Sequence, residues 1–231
     1  MTAVRGLLIA AALVPVLVGA AGCGGDSTGG EGKSEAPGRA LTAGELKRAL
    51  VGTADLRGPL YEGLDEALPA GAGVSGPDNA ACTPLVEQLG TFPRRVPVRA
   101  QAVQIIDDIR DKDAMHTSSE FLAGYAPGGA RQTMAALRTA LKSCKTFTVK
   151  DGHGGRVSMT TTSAAAVKAG DDAVAYLVHN GGSSSPTALL TVVRTGEQTA
   201  TYQSFATFHK PPLLPKDVAV AQDKKLRAVA V

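Results

Sequence analysis

Apolar residues recur at helical spacing in the middle of the chain. Ala130, Met134, Leu137 and Leu141 are four, three and four positions apart, which predicts an amphipathic helix. Continuing this stripe by three positions reaches Cys144, so we expect that cysteine to lie on the buried face. Further helices are predicted over 42–52, from Thr83-Pro84 to Leu89, over 113–123 and over 215–231.

Alternating apolar and polar residues predict strands in the second half of the chain. Such segments lie at 156–161, 173–178, 188–194 and 198–207, and another strand starts near Phe147. In the last of them Ala200 and Tyr202 share one face, and Thr199 and Thr201 share the other. We expect the first face to be covered by packing and the second to be wetter, as in an antiparallel sheet.

The order of these elements predicts the fold class. A strand over 96–102, with a phase slip at Val103 that indicates a bulge, follows a Gly- and Pro-rich segment at 55–74 that predicts a loop. Helices cluster early and strands late, which favours an α+β fold over alternating βαβ units. We therefore expect an antiparallel β-sheet packed against several helices, in a single domain over 41–231.

The N-terminal segment indicates export. Residues 1–22 begin with Arg5 and continue as an uncharged, apolar run with small residues at its end, which is typical of a signal peptide. Ala20-Ala21-Gly22-Cys23 resembles the lipobox of bacterial lipoproteins, in which the cysteine receives a diacylglycerol. Residues 23–40 are rich in Gly, Ser and Pro and predict a flexible tether. The alternatives are an uncleaved anchor, or ordinary secretion with an incidental Cys23.

Charge excludes one broad class of partner. The 231 residues carry 24 Lys and Arg against 21 Asp and Glu, a formal net charge of +3. Only 4% of the residues are aromatic, and no basic stripe with interleaved aromatics occurs. A protein that binds nucleic acid through phosphate contacts normally has such a stripe. We therefore expect no nucleic-acid partner.

The three cysteines have two expected roles, acylation for one and a disulfide for the other two. If Cys23 is acylated, Cys82 and Cys144 remain in an exported domain, where an even remainder favours a disulfide. Neither residue has a second Cys or His at ligand spacing, so a metal site is disfavoured. The other alternative is catalysis by a single free thiol, but no sequence motif near either cysteine supports it.

Candidate site residues are few. The four histidines are scattered without a metal-binding or catalytic motif, so we expect no metal, no cofactor and no enzymatic activity. Tyr125 and Arg131 flank a Pro-Gly-Gly segment between two predicted helices, and His179 ends a predicted strand beside a Gly-rich loop. These three are the ligand-binding candidates. Core packing for Tyr125 and plain surface exposure for His179 are the alternatives.

The combined features resemble a known family. A lipobox, a low-complexity tether, the Leu41–Leu50 start, Cys82 before a short helix and a cysteine that ends a longer helix are similar to actinobacterial surface lipoproteins. The folded part resembles the sensor-type extracellular domain of mycobacterial Ser/Thr kinases, with Phe121 to Phe147 among the matched features. That resemblance implies an antiparallel sheet backed by helices, with a cleft for an unidentified ligand. Those sensors typically have two disulfides, whereas this chain can form one.

The sequence thus predicts a lipid-anchored module on the extracytoplasmic face of the cell membrane. Its expected role is to bind a small molecule or a cell-envelope protein in the manner of a sensor. The alternative function is a carrier for a lipid or another apolar molecule, which requires a large apolar cavity. A hydrolytic enzyme ranks third, because no catalytic constellation is present in the sequence.

Overall fold

The computed structural model of the chain describes residues 39–56, 61–64, 75–90, 94–108, 116–150, 154–181, 187–206 and 211–230. The chain divides into two units, Met1–Ser34 and Glu35–Val231. All described residues belong to the second unit. The predicted signal peptide, Cys23 and most of the predicted tether lie outside the described residues.

The described residues form one antiparallel sheet with the strand order β1-β3-β4-β9-β8-β7-β6-β5-β2. The last strand of the sequence, β9, therefore lies in the middle of the sheet, between β4 and β8. The strands are β1 (Tyr61–Leu64), β2 (Ser75–Pro77), β3 (Val98–Asp108), β4 (His116–Tyr125), β5 (Thr146–Lys150), β6 (Arg156–Ala164), β7 (Asp172–Asn180), β8 (Ala188–Thr195) and β9 (Gln198–Ala206).

Helices pack against both faces of the sheet. On one face α1 (Ala43–Ala49) and α4 (Lys216–Val229) pack with Leu122, Ala200 and Tyr202. On the other face α2 (Thr83–Val86) and α3 (Gly129–Ser143) pack with Tyr176, Leu190 and Val192. The register places Val192 opposite Thr201, whereas Ala200 and Tyr202 point to the opposite side. The expected α+β class is confirmed.

Local signals set the helix boundaries. Thr42 caps α1: its hydroxyl accepts from the Glu45 N–H, and the Glu45 carboxylate accepts from the Thr42 N–H at 2.8 Å. This reciprocal pair satisfies two N–H groups that the helix itself leaves without a partner. The predicted helices at 42–52 and 215–231 are present as the slightly shorter α1 and α4.

The predicted Cys82–Cys144 bridge is present, with the two Cα atoms 5.5 Å apart. Both cysteines are fully buried. The bond joins the residue that precedes α2 to the residue that follows α3, so the short helix is fixed to the long one. Pro84 near the start of α2 supports that helix where its own hydrogen bonds are few.

Two predictions about secondary structure were wrong. Where a helix was expected over 113–123, residues 116–123 belong to the strand β4, which pairs with β3 on one side and β9 on the other, and 113–115 lie outside the described residues. A central strand is buried on both faces, so its sequence lacks the alternation that identifies a strand. The loop expected at 55–74 contains the edge strand β1. The bulge in β3 lies between Val98 and Ala100, before the phase slip at Val103.

Candidate functional site

A row of buried polar side chains connects α2 to the middle of the sheet. Gln88, just after α2, is 1% exposed, and its Oε1 accepts from the Thr201 hydroxyl at 3.0 Å. Its main-chain oxygen accepts from Gln203 Nε2 at 2.6 Å. Both partners lie on β9, on the face that the sequence predicted to be wetter. That face is buried at Thr199 and Thr201, so the wetter-face expectation was wrong there: hydrogen bonds satisfy these polar groups instead of water.

The row continues to the end of β4. Arg94 Nη1 donates to Gln88 Oε1 at 3.3 Å and to the Tyr125 hydroxyl at 3.2 Å. The Thr199 hydroxyl lies 3.4 Å from the same Tyr125 oxygen. We call this set the polar seam: Gln88, Arg94, Tyr125, Thr199, Thr201 and Gln203. Within the described residues Gln88 Nε2 is a buried donor with no acceptor, which is unusual for a folded protein.

Beside the polar seam lies an apolar part of the same sheet face. Val103 lies opposite Phe121, and Phe121 lies opposite Thr201, so these side chains point to the α3 side. Ile105, two positions beyond Val103, and Phe205, four positions beyond Thr201, lie on that side as well. We call Val103, Ile105, Phe121 and Phe205 the open face.

The open face is partly accessible. Phe205 is 39% exposed, and the other three side chains are half-buried. Among the described residues, none of the four belongs to the apolar clusters that the helices cover. Aromatic and β-branched side chains next to amides and hydroxyls suit a ligand or peptide that has an apolar part and hydrogen-bonding groups.

The other side of the same strands holds a buried carboxyl group. Glu120 on β4 is fully buried, and Gln104 on β3 donates to its Oε2 at 2.5 Å. Burial raises the pKa of Glu120 to about 7, and the Gln104 amide opposes that rise in part. The Tyr202 hydroxyl is near enough to contribute to the pKa of Glu120, but the two groups do not reach hydrogen-bond geometry. Burial also raises the pKa of Tyr202 well above its usual range, so this side chain stays neutral.

The end of α1 and the segment that follows it are held by three side chains from two elements, β3 and α4. Gln104 Nε2 donates to the Val51 oxygen at 3.1 Å. Gln222 of α4 accepts from the Val51 N–H at 3.1 Å and donates to the Ala49 oxygen at 2.8 Å. Lys225 donates to the Leu50 oxygen at 2.6 Å. These contacts join α1, α4 and β3 on the side of the sheet that holds Glu120.

The structure does not bring the three predicted ligand residues together. Tyr125 is fully buried and belongs to the polar seam, so it holds a core position. Arg131 is exposed on the first turn of α3. His179 is half-buried near the end of β7. Asp172, at the start of β7, lies opposite Arg194 near the Tyr125 end of the sheet, which places His179 seven residues or roughly 23 Å further along the strand.

Reasoning from the sequence missed the open face and most of the polar seam. Gln88 and Gln203 are 115 residues apart, and no local pattern indicates that they meet. One signal was available: Thr199, Thr201 and Gln203 alternate on a strand, and Phe205 extends that same alternation. Among the residues described, no group of three or more His, Cys, Asp or Glu side chains is placed to hold a metal ion.

The comparisons with known proteins concern the fold. No protein-family model and no curated protein matches the chain. The extracellular domain of PknH from Mycobacterium tuberculosis matches with a TM-score of 0.51 at 10% sequence identity, over 83% of this chain and 97% of that one. An uncharacterised protein from Mycobacterium smegmatis matches over 75% and 91%, with a TM-score of 0.34 and 13% identity. The first likeness confirms the predicted resemblance in fold to the sensor-type extracellular domain.

Proposed function

We propose that this chain is a sensor-like binding module held by a lipid at the extracytoplasmic face of the cell membrane. Three observations support the proposal: the fold is similar to that of an extracellular domain, the sequence has a lipobox-like segment at Ala20–Cys23, and the sheet has the open face. In the described part of the chain, no helix has the length and apolar character that a membrane crossing requires. The open face is the observation that carries the binding role.

The open face has the properties of a recognition surface. Phe121 and Phe205 present aromatic surface, and Val103 and Ile105 add rigid β-branched side chains. The polar seam next to them holds Gln88, whose Nε2 donor has no acceptor among the described residues. A ligand or partner segment that covers the apolar side chains gains apolar burial, and the set of groups around them sets its specificity. Binding of this kind requires no catalytic step.

A fluorescent probe tests the open face directly. We expect the dye 1-anilinonaphthalene-8-sulfonate to bind the purified domain. The double variant Phe121→Ser, Phe205→Ser should bind the dye about tenfold more weakly, because most of the aromatic contact area is lost. Val220→Ser on α4 is the matched control, since Val220 is 51% exposed outside the open face. Equal dye binding by the wild type and the double variant would contradict the proposal. Circular dichroism checks that both variants are folded.

Carriage of an apolar molecule is the second candidate, because all four side chains of the open face are apolar. Native mass spectrometry of gently purified protein distinguishes the two roles. A copurified lipid mass that disappears in the double Phe variant supports a carrier. If the native mass spectrum shows the protein without a bound lipid, and the protein still binds the dye at the open face, the sensor-like module is supported. Turnover of p-nitrophenyl esters above the buffer rate would instead support the hydrolytic alternative.

The proposed anchor has its own experiment. Cys23→Ala removes the thiol that would receive the diacylglycerol, so we expect the variant to leave the membrane fraction and appear in the soluble fraction. Ser34→Ala, within the same predicted tether, is the matched control and should remain with the membrane. Retention of the Cys23→Ala protein in the membrane fraction would rule out a lipid anchor at this residue.

A further inference from the structure

A second surface, distinct from the open face, lies where α3 ends. A groove of about 450 Å³ runs between the C-terminal half of α3 and the strands β6 and β7. The strand β8 separates β7 from β9, so this groove and the open face occupy different parts of the sheet. We call it the α3–β6 groove.

Among the strands that the structure describes, none pairs with the edge of β6 in this groove. β5 pairs with β6 only from Arg156 to Thr160, whereas β6 continues to Ala164. The last bond on this side is the one that the Thr161 N–H donates to the Lys145 oxygen at 2.9 Å. Because successive residues of a strand direct their N–H and C=O groups to alternate sides, Ser163 directs its pair to the same side as Thr161. No described strand meets that pair.

Small residues make this edge accessible to another backbone. Ser163 is exposed, and Ala164, Ala166, Ala173 and Ala175 line the groove around it. Side chains of this size leave room for a main chain to approach within hydrogen-bond distance of the strand. An exposed edge of this kind is a template for strand addition, in which main-chain bonds give affinity.

The rim of the groove is basic. Lys142 is exposed and forms no hydrogen bond or ion pair with the described residues. The Lys145 ammonium is held at the rim by the bond it donates to the Leu141 oxygen at 2.8 Å. Arg138 forms an ion pair with Asp172 and lies near the Ala173 oxygen. Three cations thus face one carboxylate along a single wall, which favours an anionic occupant.

We propose that the α3–β6 groove binds an acidic peptide segment in an extended conformation. The segment adds as a short strand beside Thr161–Ala164, on the side of β6 where β5 pairs only as far as Thr160. It exchanges main-chain hydrogen bonds with Ser163. Its carboxylates face Lys142 and Lys145. The N–H and C=O pair on Ser163, which no described strand meets, favours a peptide over a polyanion, because only a peptide backbone can use both groups.

A designed peptide tests the proposal with the intact domain. Fluorescence anisotropy measures binding of labelled Val-Glu-Val-Glu-Val-Glu, with Val-Lys-Val-Lys-Val-Lys as the matched probe of opposite charge. We expect the acidic peptide to bind and the basic peptide not to bind. The affinity for the acidic peptide should fall as the salt concentration is raised. Lys142→Glu should weaken binding roughly tenfold, whereas Lys224→Glu, the same change on exposed α4, should change it less than about twofold. Absence of acidic-peptide binding, or equal binding of both peptides, would overturn the proposal.

Two further variants separate strand addition from simple charge attraction. Ser163→Pro removes the edge N–H and is tolerated in a strand at such a position, so we expect it to abolish most of the binding with little change in the melting temperature. Ser163→Ala keeps the N–H and should bind as the wild type does. Binding that survives Ser163→Pro, or that polyphosphate of equal charge reproduces with the same response to the variants, would show a general anion surface and overturn the peptide proposal. Neither result depends on the open face.

Discussion

Glu120 and Gln104 lie directly opposite each other on β4 and β3, and both are buried where the amide of one donates to the carboxyl group of the other. Burial holds the pKa of Glu120 near 7, above the usual value of 4.5. Folding therefore takes up a proton between about pH 4.5 and pH 7. The free energy of unfolding should be highest at the acid side of this range and should fall as the pH rises through it.

The Glu120→Gln variant should remove this dependence. We expect the free energy of unfolding of the wild type to fall by up to about 3 kcal/mol between pH 5 and pH 8. That of the variant should not change over this range, because an amide does not ionise. Urea unfolding at several pH values measures the difference. Glu45→Gln is the matched control: hydrogen bonds from Arg39 and Thr42 lower the pKa of Glu45, so its contribution is lost only at acid pH below this range. The same slope in the wild type and in Glu120→Gln would contradict the prediction.

The Cys82–Cys144 bond closes a loop with a separation of 62 residues. The chain-entropy model gives such a loop roughly 4 kcal/mol of stabilisation. We therefore expect Cys82→Ala with Cys144→Ala to lower the free energy of unfolding by about that amount, measured in urea. Cys23→Ala should have no such effect and serves as the control. An unchanged urea midpoint in the double variant would show that the bond does not constrain the unfolded chain.

Gly170 has a conformation and a location that exclude a side chain. Its φ angle is +69°, and a Cβ atom there would lie 2.4 Å from the Arg194 oxygen. That oxygen already accepts from the Asp171 N–H at 2.8 Å, so it cannot withdraw without loss of the bond. Gly181 has a similar φ of +63°, but no atom lies within 4 Å of its Cβ position.

The two glycines therefore make a matched pair. Gly181→Ala should cost about 1–2 kcal/mol, the usual price of a left-handed backbone at a residue with a side chain. Gly170→Ala should cost clearly more, because the overlap with the backbone of β8 adds to that strain. Thermal unfolding of both variants measures the difference. Equal melting temperatures would mean that the segment before β7 moves aside without loss.

Gln222 provides two hydrogen bonds to the segment after α1, and it is fully buried. Gln222→Ala leaves the Val51 N–H and the Ala49 oxygen without these partners, so we expect a loss of roughly 2–4 kcal/mol. Gln132→Ala, on the exposed side of α3, should change stability by less than about 0.5 kcal/mol. Hydrogen exchange at the Val51 amide should become faster in the first variant. An exchange rate equal to that of the wild type would contradict the role given to Gln222.

Sequence patterns predicted the elements that local spacing defines. The stripe from Ala130 to Leu141 identified α3, and alternation identified β6 to β9. The buried face of α3 also placed Cys144 where the bridge needs it. These signals work because one face of each element is buried and the other is not, so the periodicity shows in the residue types.

The patterns failed where burial is uniform or where contacts are distant. Strand β4 has a neighbouring strand on each side and most of its side chains are buried, so Phe121, Leu122 and Ala123 follow one another without alternation. The polar seam depends on Thr201 and Gln88, which are 113 residues apart. A buried polar pair of this kind becomes visible only when the strand order is known, because each residue alone has the composition of a surface position.

The central place of β9 determines when the sheet can close. As a chain emerges with its N-terminus first, β3 with β4 and the meander from β5 to β8 can form from neighbouring segments. The two halves remain separate until Gln198–Ala206 arrives between them. If the chain is exported with its N-terminus first, its sheet would thus stay open until Gln198–Ala206 has emerged.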